Sequence, residues 1–283
     1  MFSEVRPRLF GIAYRMLGSA TDAEDVVQDA WLRWQAYDRD QVRDPAAFLA
    51  TTTTRLAINA SQSARARRET YIGPWLPEPV DTSADPALGA ENGAVLEIAV
   101  LALLERLPPT ERAAYVLREA FDYPYSEIAE IVEVTEPNAR QLVSRAKKHL
   151  DSERRANVVP DEQDRLLHAF IDAAREGELA KLEELFAADI ISYTDGGGIT
   201  GASRTPLAGR ERVARVFAKV ADKFWADTRI DRVEVNGQPA VLITRGPAIV
   251  ALLVLEATPK GIERLLWMMN PAKLSAVEAH VPR

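Results

Sequence analysis

The stretch from Pro108 to Leu150 constrains this chain most, because its apolar residues recur at helical spacing in three blocks with a tight turn between the last two. Thr110 follows Pro108-Pro109 as a candidate N-cap, and Ala113, Val116, Leu117 and Phe121 repeat behind it along one face. Ser126 opens a second, short block with Ile128, Ala129, Ile131 and Val132 facing inward. Glu133-Val134 makes the turn, and Thr135 caps a third helix. Glu136 and Pro137 sit in its first turn, where a carboxylate suits the helix dipole and the N–H that proline lacks is not needed. Ala139, Leu142, Val143, Ala146 and Leu150 form the buried stripe, which leaves Asn138, Arg140, Gln141, Ser144, Arg145, Lys147 and Lys148 outside. A short helix, a turn and a polar-faced helix make a helix-turn-helix, whose second helix fits the major groove of DNA. A small bundle with a solvated basic face is the competing reading. One position runs against the motif: Glu133 stands where glycine would relieve a positive φ, at a cost of about 1–2 kcal/mol.

At 283 residues the chain suits two or three domains. A net charge of −7 is awkward for an independent DNA binder, since phosphate neutralisation supplies much of the affinity. Such a chain must confine its basic residues to patches or be carried to DNA by a partner. The absence of cysteine excludes disulfides, thiolate metal sites and a cysteine nucleophile, and fits a reducing cytoplasm. The start, Met1 to Arg6, does not read as a signal peptide, and no apolar run reaches membrane-spanning length. No membrane partner is expected.

Residues near 5–71 read as wholly helical. Leu9, Ile12, Ala13, Met16 and Leu17 line a first helix ending at Gly18. A second opens in the carboxylate-rich run Ser19 to Asp25 and turns Val26, Val27, Ala30, Trp31 and Trp34 inward. Asp22, Glu24, Asp25, Gln28 and Asp29 stay outside. A third begins after Asp44-Pro45 and crosses Thr51 to Thr54, β-branched residues that only tertiary packing can hold in a helix. Beyond them come Arg55, Asn59, Ser61, Gln62, Ser63, Arg65, Arg67, Arg68 and the aromatic Tyr71, a set suited to phosphates and unstacked bases. Residues 72–92 form a linker. Its string Gly73 to Pro79 cannot be regular helix, its Trp75 and Leu76 need a docking surface, and Asp81 to Pro86 reads as polar and mobile. A helix from about Glu91 to Leu107 then leads into the helix-turn-helix, the two filling residues 93–155.

Pro160 starts a third domain, 160–283. Two helices flank Gly177, and a strand at Ile190 to Tyr193 leads into Asp195-Gly196-Gly197-Gly198. A helix spans Arg210 to Phe224. Strands come next at Thr228 to Val235, Ala240 to Thr244, Ala248 to Ala257 and Ile262 to Met269, and a short helix starts at Asn270-Pro271. Helices succeeded by a curved antiparallel sheet give an α+β domain. Asp195 beside glycines could serve as a general base if desolvated, or end a strand, or dock a loop. The histidines His149, His168 and His280 form no acid–base set and no metal-ligand spacing appears, so neither an enzyme, a cofactor nor a metal is expected.

In order, these parts resemble an extracytoplasmic-function (ECF) sigma-70 factor. The resemblance rests on Asp22-Ala23-Glu24-Asp25-Val26-Val27-Gln28-Asp29, on Ala64-Arg65-Ala66-Arg67-Arg68-Glu69 and on Asn138 to Ala146. The linker string Trp75 to Pro79 and Asn270-Pro271-Ala272-Lys273-Leu274 are similar to the subgroup that carries a SnoaL-like domain, with Ala272 in place of an Asp. The order of elements after Pro160 is similar to the SnoaL-like cone with a pocket. The fold class implied is therefore two all-α sigma domains, the second with a helix-turn-helix, plus an α+β SnoaL-like cone. The resemblance assigns 1–71 to sigma region 2 and gives its Asp22, Glu24, Asp25, Gln28 and Asp29 to the clamp helices of RNA polymerase core. It assigns Arg55, Asn59, Ser61, Gln62, Arg65, Arg67 and Arg68 to the −10 element. It gives Thr135, Asn138, Arg140, Gln141, Ser144, Arg145 and Lys148 of region 4 to the −35 element. Trp75, Leu76, Asp195, Gly196, Gly197, Gly198, Asn270, Pro271, Lys273 and Leu274 become regulatory contacts, and a small ligand in the cone's pocket is an open partner. Ser61, Gln62 and Glu133 depart from the family pattern. The alternatives are a free-standing helix-turn-helix regulator with a ligand-binding or enzymatic C-terminal domain, and an enzyme fused to a DNA-binding domain.

Overall fold

The computed structural model describes residues 1–38, 40, 42–82, 95–153, 158–199 and 201–278. The chain forms two compact units. One joins residues 1–70 to the helices that come after residue 95; the other joins the linker stretch 71–81 to the chain from residue 158.

The first unit is all helix. In α1 (Phe2–Leu17), Leu9, Ile12, Met16 and Leu17 are almost fully buried, each burial worth roughly 1.5–3 kcal/mol. Gly18 ends α1 in the left-handed conformation, with φ 63°. The Ser19 hydroxyl accepts the Asp22 N–H at the start of α2 (Ala20–Ala36). Trp31 stays half-buried and packs on Phe2, ring centroids 4.4 Å apart, while Val26, Val27, Ala30 and Trp34 enter the core. In α3 (Pro45–Glu69), Thr53 and Thr54 are buried, and the hydroxyls of Thr52 and Thr54 donate back to the carbonyls of Phe48 and Ala50. Packing there overrides the low helix propensity of the threonines.

Beyond residue 95, α4 (Ile98–Leu104) is shorter than the sequence suggests. Residues 95–97 are not α-helical, and the expected start near Glu91 lies outside the described residues, as does the polar stretch 83–86. α5 (Pro109–Phe121) begins with Pro109, so Thr110 lies in its first turn rather than capping it. α6 (Tyr125–Ile131) and α7 (Glu136–Glu153) complete the three-helix unit, with Ser126 likewise inside the first turn.

The second unit layers helices against a six-stranded sheet of order β2-β1-β6-β5-β4-β3. Its elements are α8 (Pro160–Glu176), α9 (Leu179–Leu185), β1 (Phe186–Asp195), β2 (Leu207–Ala208), α10 (Arg210–Phe224), β3 (Thr228–Val235), β4 (Gln238–Arg245), β5 (Ala248–Thr258), β6 (Gly261–Met268) and α11 (Pro271–Glu278). The expectation of an antiparallel sheet fails at one seam, where β1 runs parallel to β6 with Tyr193 opposite Leu266. The connection between them contains α10 and four strands, so no hairpin rule applied to it. Phe170, Phe186, Phe217, Phe224, Trp225 and Trp267 pack ring to ring under the sheet, with Phe170 and Phe217 edge to face at 5.5 Å.

Candidate functional site

Three surfaces carry the residues singled out by sequence. On α7, Thr135 Oγ1 accepts the Asn138 N–H at 3.4 Å and so starts the helix where expected. Thr135, Asn138, Arg140, Gln141, Ser144, Arg145 and Lys148 are all exposed, while Ala139, Leu142, Val143, Ala146 and Leu150 are buried. Much of this positive face is already paired. Arg140 meets Glu136 at 2.5 Å and lies 4.4 Å over the Tyr125 ring; Arg145 sits 3.5 Å from Glu111, and Lys147 2.9 Å from Glu119.

Glu133 does adopt a left-handed backbone, φ 58°. Arg55 of α3 makes this tolerable. Its guanidinium donates to the carbonyls of Ile131 (3.0 Å) and Glu130 (2.9 Å) at the end of α6, and lies 3.1 Å from the Glu133 carboxylate. One side chain thereby satisfies helix-end carbonyls and fixes the turn.

The segment assigned to the −10 element is a continuation of α3. Arg55, Asn59, Gln62, Arg65 and Arg67 are exposed; Ser61 faces inward, 3% exposed, its hydroxyl donating to the Ile58 carbonyl. The helical period puts Ser61 in line with Ala57 and Ala64, both buried. Arg67 pairs with Asp22 at 2.6 Å, so a residue from the acidic face of α2 meets one from the basic end of α3. On that acidic face Asp22 is half-buried, whereas Glu24, Asp25, Gln28 and Asp29 are exposed, Glu24 bonding Arg6.

Arg68 is drawn into a cluster that sequence reasoning missed. It pairs with Glu105, which also holds Arg112 at 2.9 Å, and Arg68 and Arg112 donate to the carbonyls of Leu17 and Met16 at the end of α1. Burial, with Arg65 adding a like charge, pushes the Arg112 guanidinium down to about 10, still charged at neutral pH. The spacing of Glu105 and Arg112 carried no signal of this, because their partners come from another helix.

The second unit gathers most of the remaining residues into one site. Asp195, fully buried at the end of β1, accepts the Leu76 N–H at 2.8 Å and the Lys273 ammonium at 2.7 Å on Oδ2, and the Tyr71 hydroxyl on Oδ1. Lys273 also donates to the Leu76 carbonyl at 2.5 Å, so Asp195 and Lys273 together read both backbone polar groups of Leu76. The ammonium lies 4.3 Å from the Trp75 ring centre and 5.2 Å from that of Tyr71. Leu76 and Leu274 are buried; Trp75 is half-buried. Pro271 opens α11 at its first turn, after Asn270, whose Nδ2 donates to the Tyr71 hydroxyl at 2.8 Å and whose Oδ1 accepts the Ala272 N–H. Burial, and then the carboxylate of Asp195, raise the Tyr71 hydroxyl well above the ordinary phenol range. Tyr71, grouped by sequence with the residues suited to unstacked bases, is held in this structure by Asp195.

The glycines of this loop are required by space. A Cβ on Gly196 would sit 2.2 Å from the Ala202 Cβ, and one on Gly197, which has φ 57°, 2.6 Å from Asn270 Nδ2. Gly198, φ 90°, borders Ile72 of the linker. Farther along, Val80 and Asn236 exchange hydrogen bonds, Val80 N–H to Asn236 Oδ1 at 3.0 Å and Asn236 N–H to the Val80 carbonyl at 2.9 Å. Asn236 reads from sequence only as a turn residue. Among the described residues no cluster of potential metal ligands appears, and no helix is long and apolar enough to cross a membrane.

Residues 1–68 match the model of Sigma-70 region 2, and residues 97–150 that of Sigma-70, region 4. The chain is 35% identical over 230 residues to the ECF RNA polymerase sigma factor SigJ of Mycobacterium tuberculosis, covering 79% of this chain and 73% of SigJ. It is 30% identical over 282 residues to a probable ECF RNA polymerase sigma factor, SigI, of the same species, covering 98% of this chain and 94% of SigI. The crystal structure of M. tuberculosis SigJ superposes with a TM-score of 0.76 at 29% identity, over 97% of each chain. The chain belongs to the ECF RNA polymerase sigma factors and is an alternative sigma factor with a C-terminal α+β domain.

Proposed function

We propose that this sigma factor binds the clamp helices of core RNA polymerase through Asp22, Glu24, Asp25, Gln28 and Asp29 of α2, and carries the enzyme to promoter DNA. In this reading Arg55, Asn59, Gln62, Arg65, Arg67 and Arg68 of α3 serve the −10 element, with Ser61 acting from inside the helix packing. The exposed face of α7 reads the −35 element through Thr135, Asn138, Arg140, Gln141, Ser144, Arg145 and Lys148. Region 2 extends over 1–71 and region 4 over 93–155, with 72–92 as the linker and 160–283 as the SnoaL-like regulatory domain. In this reading the work is cytoplasmic and not enzymatic; the oxygens of Asp195, the residue weighed as a general base, are taken up by Leu76, Lys273 and Tyr71.

The observation that carries the regulatory half is the capture of Leu76. A connector between two DNA-reading regions must change path when they separate, and here Asp195 and Lys273 hold it by its backbone. The C-terminal domain therefore restrains the linker, and activation requires its release. A small ligand in the pocket of the SnoaL-like domain is a further partner in this reading.

The test is transcription by purified core polymerase on a fork-junction promoter. Truncation before Asn270, which removes Lys273, should raise initiation, whereas removal of everything after Pro160 should lower it by exposing apolar surface. Two truncations that initiate like the full chain would sink the regulatory reading. Tight sequence-specific binding by the protein alone at physiological salt would sink the requirement for core.

A further inference from the structure

The outward face of α10 carries a basic stripe that none of the roles above uses. The helix holds five basic and two acidic residues in a chain whose net charge is −7. Its buried positions are Val213, Ala214 and Ala221. At 100° per residue, Arg212, Lys219 and Lys223 fall within about 40° of one another on the opposite side, and Arg215 lies beside them. All four are exposed, and among the described residues none makes an ion pair or a hydrogen bond. The contrast with α7 is direct, for Arg140, Arg145 and Lys147 there are each matched by a carboxylate. The acidic residues of α10, Glu211 and Asp222, lie at the edge of the stripe, and its other flank is Val216 and Val220, 40% and 37% exposed. Arg210, Arg212 and Arg215 also line an open hollow with Glu211, Ala188 and Gly209.

Four cations in a row repel one another, and Glu211 and Asp222 at the edge of the stripe form no ion pair with them. From Arg212 to Lys223 they span roughly 16 Å of helix, a length over which one strand of duplex DNA presents about five phosphates. We infer that this face of α10 contacts the phosphate backbone of promoter DNA, which makes the C-terminal domain a third, sequence-independent DNA contact of the sigma factor. Charge complementarity selects the occupant: long guanidinium and ammonium side chains without acceptors fit phosphodiester oxygens, and the sigma role brings the polymer to the protein. The inference rests on that role only for the presence of DNA.

The experiment compares the full chain with its R212Q/R215Q/K219Q/K223Q variant, each bound to core polymerase on the same promoter over a range of salt. The positions are exposed, and unchanged circular dichroism and core binding establish that the variant folds. Each lost phosphate contact should make the dependence of log affinity on log salt shallower by about 0.9, so a change of about 3.6 is expected for the four sites together, equal for strong and weak promoters. A variant that swaps arginine and lysine at the four sites should keep the original slope. A photo-crosslinker at Lys219 should label DNA. An unchanged slope in the glutamine variant, or crosslinks that reach only a polymerase subunit, would overturn the inference. Failure of the wild-type chain to initiate at promoters would instead count against the sigma role, because slope and crosslink are read from binding and not from initiation.

Discussion

The two units each bury a carboxylate against cations, and they use it differently. Glu105 stands between Arg68 and Arg112 with side chains 13%, 15% and 4% exposed, and every partner lies on a helix or at a helix end. Asp195 is fully buried against one Lys273, itself 7% exposed, and the segment it holds, around Leu76, has no regular structure. In the helical unit the charges tie together pieces that hydrophobic packing has already placed. In the α+β unit they fasten a segment whose own packing rests on Leu76, Pro77, Pro79 and Val80. An ion pair of the first kind adds stability to a formed core, whereas one of the second kind decides whether a segment is bound.

The largest expected effect tests that distinction at Asp195. Asp195→Ala leaves the Lys273 ammonium buried without a counter-charge and should destabilise the second unit by about 3–5 kcal/mol in denaturant unfolding. The apolar double variant D195L/K273M should recover most of that stability while still failing to protect the Leu76 amide from hydrogen exchange. If the double variant protects the amide as the wild type does, the capture is packing and not charge.

Glu105→Gln should have a smaller effect, about 1–3 kcal/mol, because Arg68 and Arg112 keep the carbonyls of Leu17 and Met16 and part of the cluster reaches solvent. Thermal unfolding of the first unit reads it. A loss as large as that of Asp195→Ala would erase the contrast between the two sites.

Tyr71→Phe should cost least, about 1 kcal/mol for a lost hydrogen bond to a charged acceptor that keeps two other donors. Its sharper readout is pH. A phenol raised by burial and by Asp195 is neutral in the fold past the ordinary phenol pKa, so its contribution is complete below pH 10 and is lost as alkali ionises it. A phenolate absorbance titration of the wild type should contain one late-ionising tyrosine that the Tyr71→Phe variant lacks; titration curves that differ by an ordinary tyrosine would contradict this.

Much of the fold is legible in the sequence. The periodicity of Ala139, Leu142, Val143, Ala146 and Leu150 matches the buried stripe of α7, and the apolar and turn pattern after Thr228 matches β3 to β6. The run Asp195 to Gly198 and the string around Lys273 stand out as unusual residues in unusual places, and they meet through Leu76 and Asn270. Less visible is anything that depends on a partner distant in sequence. Nothing in the sequence marks the partners that Arg55 and Arg68 take within the fold, because an arginine looks the same whether or not a carbonyl 76 residues away accepts from it. Ser61 reads as exposed when polarity is weighed above its place in the helical period. The parallel seam of β1 and β6 has no local signature at all.

By itself, then, the sequence determined the features set by near neighbours along the chain. Helix periods, caps and turns act over three or four residues, so Thr135 starting α7, Gly18 ending α1 and the apolar strands are written locally. The tertiary structure decided which charges meet. Glu105 with two arginines, Arg55 on the turn at Glu133, and Asp195 with Tyr71, Leu76 and Lys273 all join groups far apart in sequence. Electrostatic and hydrogen-bond partners are chosen by distance in space and by burial, and a pattern of spacings along the chain contains neither.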